Sequence, residues 1–303
     1  MCCGGGIPAS SGSDPGRAQS VLVTGASGVV GPHLCRRLNM DGMLIGTLGR
    51  GRVADSPTIV ADLVRPSELV IDGRFDILVH TAPLWLLPDN LERFAACGIH
   101  RIIAFSSTSV ETKKHSEHFY DQKLAQRLYA AEQDTGAAAE KLGIRLTVLR
   151  PTMIYGFGRD RNIMVIARLA RRFGFFPVAG SGKGLRQPVH VLDLVEAVAG
   201  CMNASSTVGK SYNLGGAEKL TYKAMVQRIF RALGRTPRIL HLPAPAYGAL
   251  IETGLKLNVI SGLSSAAATR MDEDLCFDSA PAQRDFGYSA SAFLENPARD
   301  LPF

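Results

Sequence analysis

The chain has 303 residues, 46% hydrophobic and 20% charged, with mean hydropathy near zero, a globular composition that excludes disorder on the scale of the whole chain. No window approaches roughly 18 uncharged apolar residues, and the nearest, Leu240 to Ile251, is interrupted by His241, Pro243 and Pro245, so no membrane span is expected. The net charge of +7 and pI near 9.2 come mostly from arginine; this suits an anionic ligand, and since no basic run is interleaved with aromatics, nucleic acid is not the expected partner.

Residues 1–18 are small, polar and rich in Gly, Ser and Pro, without the charged start and apolar core of a secretory signal, and read as a disordered leader in which Cys2 and Cys3 carry no function. Cys35, Cys97, Cys201 and Cys276 stand singly in apolar surroundings and read as small buried hydrophobes, which fits a reducing cytoplasm. Ser20 to Thr24 is a short apolar strand, and helical spacing follows from Val29 to Leu38. Leu44 to Leu48, Phe75 to Thr81, Arg101 to Ser106 and Arg145 to Leu149 are further strands, separated by helix-length segments such as Pro88 to Cys97 and Ser116 to Leu142. This alternation predicts an α/β fold: a Rossmann-type, doubly wound parallel sheet covered on both faces. After Arg150 the pattern loosens, with helices at about Asn162 to Phe173, up to Met202 and at Thr221 to Leu233, and strands near Gln187 to Val191 and Tyr212 to Leu214. The expected division is a leader at 1–18, a dinucleotide-binding domain at 19–155 plus returning segments after 185, and a smaller C-terminal substrate lobe over 156–303.

The first strand runs into Thr24-Gly25-Ala26-Ser27-Gly28-Val29-Val30-Gly31. A helix that starts directly after a strand points unpaired N–H groups and a positive dipole end above the sheet, where a pyrophosphate sits well. In that setting Gly25 permits the tight turn, Gly28 lets backbone approach phosphate, and Gly31 lets helix pack on strand. Ser27, Val29 and Val30 complete the turn. At the end of the second strand, where an acid would hold the ribose hydroxyls of NAD, stands Leu48-Gly49-Arg50-Gly51-Arg52. Arg50 therefore favours a 2'-phosphate, and NADP over NAD.

With its G-x-x-G-x-x-G spacing, TGASGVVG resembles the short-chain dehydrogenase/reductase superfamily, specifically the extended, sugar-nucleotide branch that includes the UDP-sugar 4-epimerases. Collinear segments extend the resemblance over about residues 20 to 290: Ser106-Ser107-Thr108-Ser109-Val110, LRPTMIYG from Leu149, RQPVHVLDL from Arg186, Tyr212-Asn213-Leu214-Gly215-Gly216, and Phe277-Asp278 through Tyr288. The resemblance implies that Asp62 and Leu63 pack around the adenine and that Thr81, Ala82 and Pro83 pass under the cofactor. It implies further that Ser107 is the catalytic serine, and that Asn162 and Arg186 meet the diphosphate of a nucleotide-sugar substrate. A homodimer is the family's habit. His190, flanked by two valines, reads as a packed structural histidine.

The resemblance breaks at the catalytic dyad. In the family, a Y-x-x-x-K tyrosine moves the proton while a lysine one turn on lowers its pKa and holds the nicotinamide ribose. This chain offers only Tyr120-Asp121-Gln122-Lys123, with lysine at i+3. Counting back from Arg150 puts Lys123 or Leu124 at the family's tyrosine position and Arg127 or Leu128 at its lysine position. Met153 stands where many relatives have a substrate-contacting Asn. Two functions follow: an NAD(P)-dependent epimerase, dehydratase or reductase of a nucleotide-activated sugar, with Ser107, Tyr120 and Lys123 as catalytic set; or a catalytically silent NAD(P)-binding sensor or partner protein. A lipid-linked substrate, suggested by Leu240 to Ile251, is less economical than core packing.

Overall fold

The computed structural model describes residues 19–52, 57–112, 119–257 and 267–303. The expected leader, with Cys2 and Cys3, lies outside the described residues, as do residues 116–118 of the expected long helix.

In chain order the first half comprises β1 (Ser20–Thr24), α1 (Gly31–Met40), β2 (Leu44–Gly49), β3 (Thr58–Val60), β4 (Ile77–His80), α2 (Leu91–Ala96), β5 (Arg101–Phe105), α3 (Ser109–Thr112), α4 (Phe119–Lys141) and β6 (Arg145–Pro151). There follow β7 (Ile154–Tyr155), α5 (Ile163–Phe173), β8 (Phe176–Ala179), β9 (Leu185–Arg186), β10 (Val189–His190), α6 (Val191–Asn203) and β11 (Lys210–Leu214). The remainder is β12 (Leu220–Thr221), α7 (Tyr222–Ala232), β13 (Ile239–Leu242), α8 (Ala244–Lys256), α9 (Ala267–Arg270), α10 (Ala280–Phe286) and α11 (Pro297–Asp300).

Seven strands form one sheet in the order β11-β6-β5-β4-β1-β2-β3, every pair parallel. A strand sends alternate side chains to opposite faces, and here both faces are buried. Val21 and Val23 pack with Leu34 of α1, Val195 and Val198 of α6 and Ala282 of α10, whereas Leu22 packs with Phe94 of α2 and Leu128 of α4. That is why the central strands read as continuous apolar runs. A second core joins α5, β8 and α7 with Tyr247 and Ile251 of α8. The strand order reverses between β1 and β4, and in open α/β sheets the crevice at the carboxyl ends of such strands is where ligands bind.

Several expectations need adjustment. The strand read near Gln187 to Val191 is shorter than expected, β10 at Val189–His190, parallel to β7, and it is preceded by β9, antiparallel to β12. Pro188 lies between them and has no N–H to continue a ladder. β3, β8, β12 and β13 are too short, or in β8 and β13 too irregular around Pro177 and His241, to leave an alternating pattern. Part of the apolar stretch from Leu240 is helical: α8 starts at Ala244, with Pro245 in the first turn, where a missing N–H costs nothing. Among the described residues no helix is long and apolar enough to cross a membrane. Cys35, Cys97 and Cys201 are buried and Cys276 is half-buried, all as free thiols, and burial pushes the Cys35 thiol up to about 11.

Candidate functional site

The glycine turn is built by close approach of backbone to backbone. Gly25 adopts φ +73°, and a Cβ there would lie 2.6 Å from the Ala82 nitrogen and 2.7 Å from the Thr81 carbonyl carbon, so only glycine fits. Thr81 fastens this junction, donating its backbone N–H (3.0 Å) and its hydroxyl (2.7 Å) to the Thr24 carbonyl. Gly31 is equally constrained: a Cβ would meet the Ala26 Cα at 2.4 Å, which sets how near α1 lies to the turn. Gly28 differs. It is exposed, its φ is ordinary, and an added Cβ would meet only the Gly25 carbonyl oxygen, at 3.1 Å. Ser27 is also exposed, Val29 half-buried and Val30 buried. α1 opens at Gly31 with no side-chain cap. The first-turn donors are thus left to face the crevice, an arrangement that fits a pyrophosphate.

The other cofactor candidates gather at the same ends of the strands. Leu48 pairs with Thr24 across β1 and β2, so Arg50, exposed, lies just past that edge. Asp62 accepts the Val64 N–H at 3.1 Å, and the carbonyl of buried Leu63 accepts Asn90 Nδ2 at 2.9 Å. Thr81, Ala82 and Pro83 follow β4. His80 lies beneath them, with Nδ1 2.8 Å from the Thr24 hydroxyl and Nε2 3.2 Å from the Pro83 carbonyl, and complete burial holds its pKa down at about 4.

Next to the turn lies a cavity of about 530 Å³. Val29 connects it to the glycine turn, Ser107 and Ser109 come from the end of β5, Asn162 and Arg161 from the start of α5, Arg186 from β9, and Arg270 from α9. Ser107, Asn162 and Arg186, expected from scattered segments of sequence, are thus brought to one wall. The Ser107 hydroxyl accepts the Ser109 N–H at 3.1 Å. Arg186 is only 4% exposed, and its guanidinium donates to the carbonyls of Leu185 (2.8 Å), Glu273 (2.7 Å) and Arg270. Much of its donor capacity is therefore spent on holding the wall. Met153 lines the cavity too.

Sequence reasoning missed Arg270 and Asp160. Arg270 pairs with Asp121 of α4 at 2.9 Å and sits in a four-residue helix with no motif of its own. Asp160 caps α5, its Oδ1 accepting the N–H groups of Asn162 (2.9 Å), Ile163 (2.6 Å) and Met164 (3.1 Å). An acid two residues before a helical pattern is a cap signal that could have found it. Burial outweighs these bonds and pushes its carboxyl pKa up. Its Oδ2 has no hydrogen-bond partner among the described residues.

Tyr120 and Lys123 do not join the cavity wall. Tyr120 is 85% exposed, and the Lys123 ammonium lies 5.8 Å from the centre of the Phe119 ring. Farther along α4, Leu128 is buried, and Glu132 pairs with Arg150 while accepting the Ser106 hydroxyl at 2.5 Å. His190 is buried against Asp300, with Nε2 3.0 Å from Oδ1. Residues just after β7 touch the glycine turn and α1 directly: Arg159 donates to the Ser27 carbonyl at 2.9 Å, and Phe157 stacks on His33 of α1 with centroids 4.1 Å apart.

Residues 89–215 match the model of the NAD dependent epimerase/dehydratase family. A 2-alkyl-3-oxoalkanoate reductase of Shewanella oneidensis is 22% identical, over 94% of this chain and 86% of its own length. A UDP-glucose 4-epimerase of Vibrio cholerae is also 22% identical, over 91% and 96%. Among solved structures, a UDP-glucuronic acid 4-epimerase from Bacillus cereus, in complex with UDP-glucuronic acid and NAD, superposes with TM-score 0.71 at 15% identity, covering 93% of this chain and 98% of that one.

Proposed function

We propose that the chain, whose residues 89–215 match the NAD dependent epimerase/dehydratase family model, is an NAD(P)-dependent epimerase, dehydratase or reductase of the extended short-chain dehydrogenase/reductase kind, acting on a nucleotide-activated sugar. The observation that carries the reading is one cavity, bordered by the glycine turn at Val29, that gathers Ser107, Asn162, Arg161 and Arg270. When bound, the nicotinamide supplies a hydride acceptor and donor.

The chain's own residues supply the rest. Gly25 to Gly31 cradle the pyrophosphate on the start of α1, Arg50 selects a 2'-phosphate, and Asp62 to Leu63 and Thr81 to Pro83 border the adenine and ribose. Arg270 and Arg161 meet the substrate diphosphate with planar, permanently charged donors; Arg186, spent on backbone carbonyls, holds the wall between them. Asn162 adds a polar contact at the mouth. Ser107 hydrogen-bonds the reacting oxygen; Tyr120 and Lys123, the expected proton-transfer pair, stand off the cavity wall and would have to approach it to act.

A second reading is favoured by one observation: the exposure of Tyr120 away from the cavity wall suits a redox-silent dinucleotide-binding protein. The two separate on a panel of UDP-, GDP- and dTDP-sugars with NADH, NADPH and their oxidised forms. A change in nicotinamide absorbance, or interconversion of sugar epimers, supports the enzyme. Cofactor binding by calorimetry with no turnover on any substrate sinks it in favour of the silent protein. Turnover that survives Tyr120→Phe removes Tyr120 and Lys123 from the catalytic set without removing the enzyme.

A further inference from the structure

α5 enters the cavity wall near its first turn, through Val165 and Ile166. Its other end leads to a surface that the proposed reaction does not use. Arg168 and Arg171 are exposed there, the helix stops at Gly174 in the left-handed conformation, and Phe173 and Phe175, each 38% exposed, hold their rings 6.2 Å apart. Two arginines from a distant segment converge on the same turn. The Phe176 N–H donates to the Arg238 carbonyl at 2.9 Å, which sets Arg238 beside Phe175, and Arg235 donates to the Ala170 carbonyl at 3.3 Å. Leu240, two residues on, is 44% exposed.

Arg171 stands over the Phe303 ring, 4.3 Å from its centroid, and the four arginines make this face cationic. Residues 161–180 and 219–251, which build α5, β8, α7 and β13, contain no Asp or Glu. Among the described residues Arg168, Arg171, Arg235 and Arg238 make no salt bridge. The chain sequence hides this patch, because folding brings its arginines together across more than one element.

We propose that this face docks on the anionic surface of a phospholipid bilayer, with the arginines against lipid phosphates and Phe173, Phe175 and Leu240 entering the headgroup boundary. Guanidinium groups suit phosphate in geometry and charge, and exposed aromatic and leucine side chains beside a cationic face are what an interfacial surface requires. Nucleic acid would ask for ring faces open to base stacking. Here Arg172 stands over Phe173, 5.1 Å from its centroid, and an aliphatic side chain, Leu240, fills the next exposed position. The patch lies at the far end of α5 from the cavity, so the inference is independent of the proposed reaction.

The test sediments the full chain with vesicles of phosphatidylcholine containing roughly a third phosphatidylglycerol, and with phosphatidylcholine alone. Binding is expected on the anionic vesicles only and should fall as salt rises. Each arginine removed should weaken it about fivefold, so Arg171→Gln with Arg238→Gln should bind roughly 25-fold less tightly; Phe175→Ser should also weaken it. Circular dichroism confirms that each variant is folded, and the salt titration of the unaltered chain stands if a variant is not. No binding to anionic vesicles, equal binding to both kinds, or indifference to salt overturns the proposal. So does tighter binding to a single-stranded oligonucleotide than to the vesicles.

Discussion

Gly28→Ala separates the fold of the glycine turn from its use. At Gly28 the backbone is in an ordinary region and an added Cβ meets only the Gly25 carbonyl, at 3.1 Å, so relaxation by a few tenths of an ångström suffices. Its cost of about 0.5 kcal/mol is offset by the roughly 0.4–1 kcal/mol that replacing glycine gains by narrowing the unfolded ensemble. The melting temperature should therefore move by no more than about 2 °C. A phosphate is affected differently. Charge-assisted N–H contacts form at about 2.9 Å, and a methyl group standing over the turn pushes the phosphate about 1 Å outward. Losing one such bond costs about 1.5–3 kcal/mol, or roughly a 10- to 100-fold loss of NADH and NADPH affinity. Gly31→Ala is the contrast, because there the Cβ meets Ala26 backbone at 2.4 Å and the protein itself should lose about 2–3 kcal/mol. Titration calorimetry and differential scanning calorimetry read the two effects. If Gly28→Ala melts normally and binds both cofactors as tightly as the unaltered chain, no pyrophosphate lies over this turn.

Three further outcomes are expected. Arg50→Ala should weaken NADPH about tenfold and leave NADH nearly unchanged, since only the former carries a 2'-phosphate for the guanidinium to hold; equal losses in calorimetry would refute the selectivity. His80, held near pKa 4 by burial against an unfolded value of 6.5, takes up a proton on unfolding, so its contribution is complete above pH 6.5 and is lost as pH falls towards 4, by about 3 kcal/mol. Urea unfolding across that window should show the decline, and His80→Gln should flatten it. Asp121→Asn releases Arg270 from its 2.9 Å ion pair; UDP affinity should rise roughly three- to tenfold, because a carboxylate no longer competes for the guanidinium. A fall in UDP affinity would mean that the pair positions Arg270 rather than restrains it.

The sheet was legible because its central strands are buried on both faces and its helices are long enough to show their period. The glycine turn was legible because backbone packing at Gly25 and Gly31 leaves a residue type behind. Ser107, Asn162 and Arg186 could be named from their segments and all three line the cavity, yet only the fold reveals that Arg186 is spent on carbonyls. Arg270 was invisible because its position depends on Asp121, about 150 residues earlier in the chain, and no local pattern encodes such a meeting. The register of α4 was readable up to a point. Glu132 pairs with Arg150 and Leu128 faces the core, whereas Lys123 and Arg127 are exposed.

The pairing of β11 with β6 reaches beyond the site. Lys210 opposes Thr147, and the intervening chain contains α5, β8 and the strands that frame the cavity. The last strand of the sheet cannot be added until that excursion has been closed, and parallel pairings over such separations are slow to form. Until then Leu149 and the apolar face it shares with Val21 and Ile103 lack the cover of α6. A chain truncated at Tyr155 would lack α6 and leave Leu149 and its neighbours on that face without its cover.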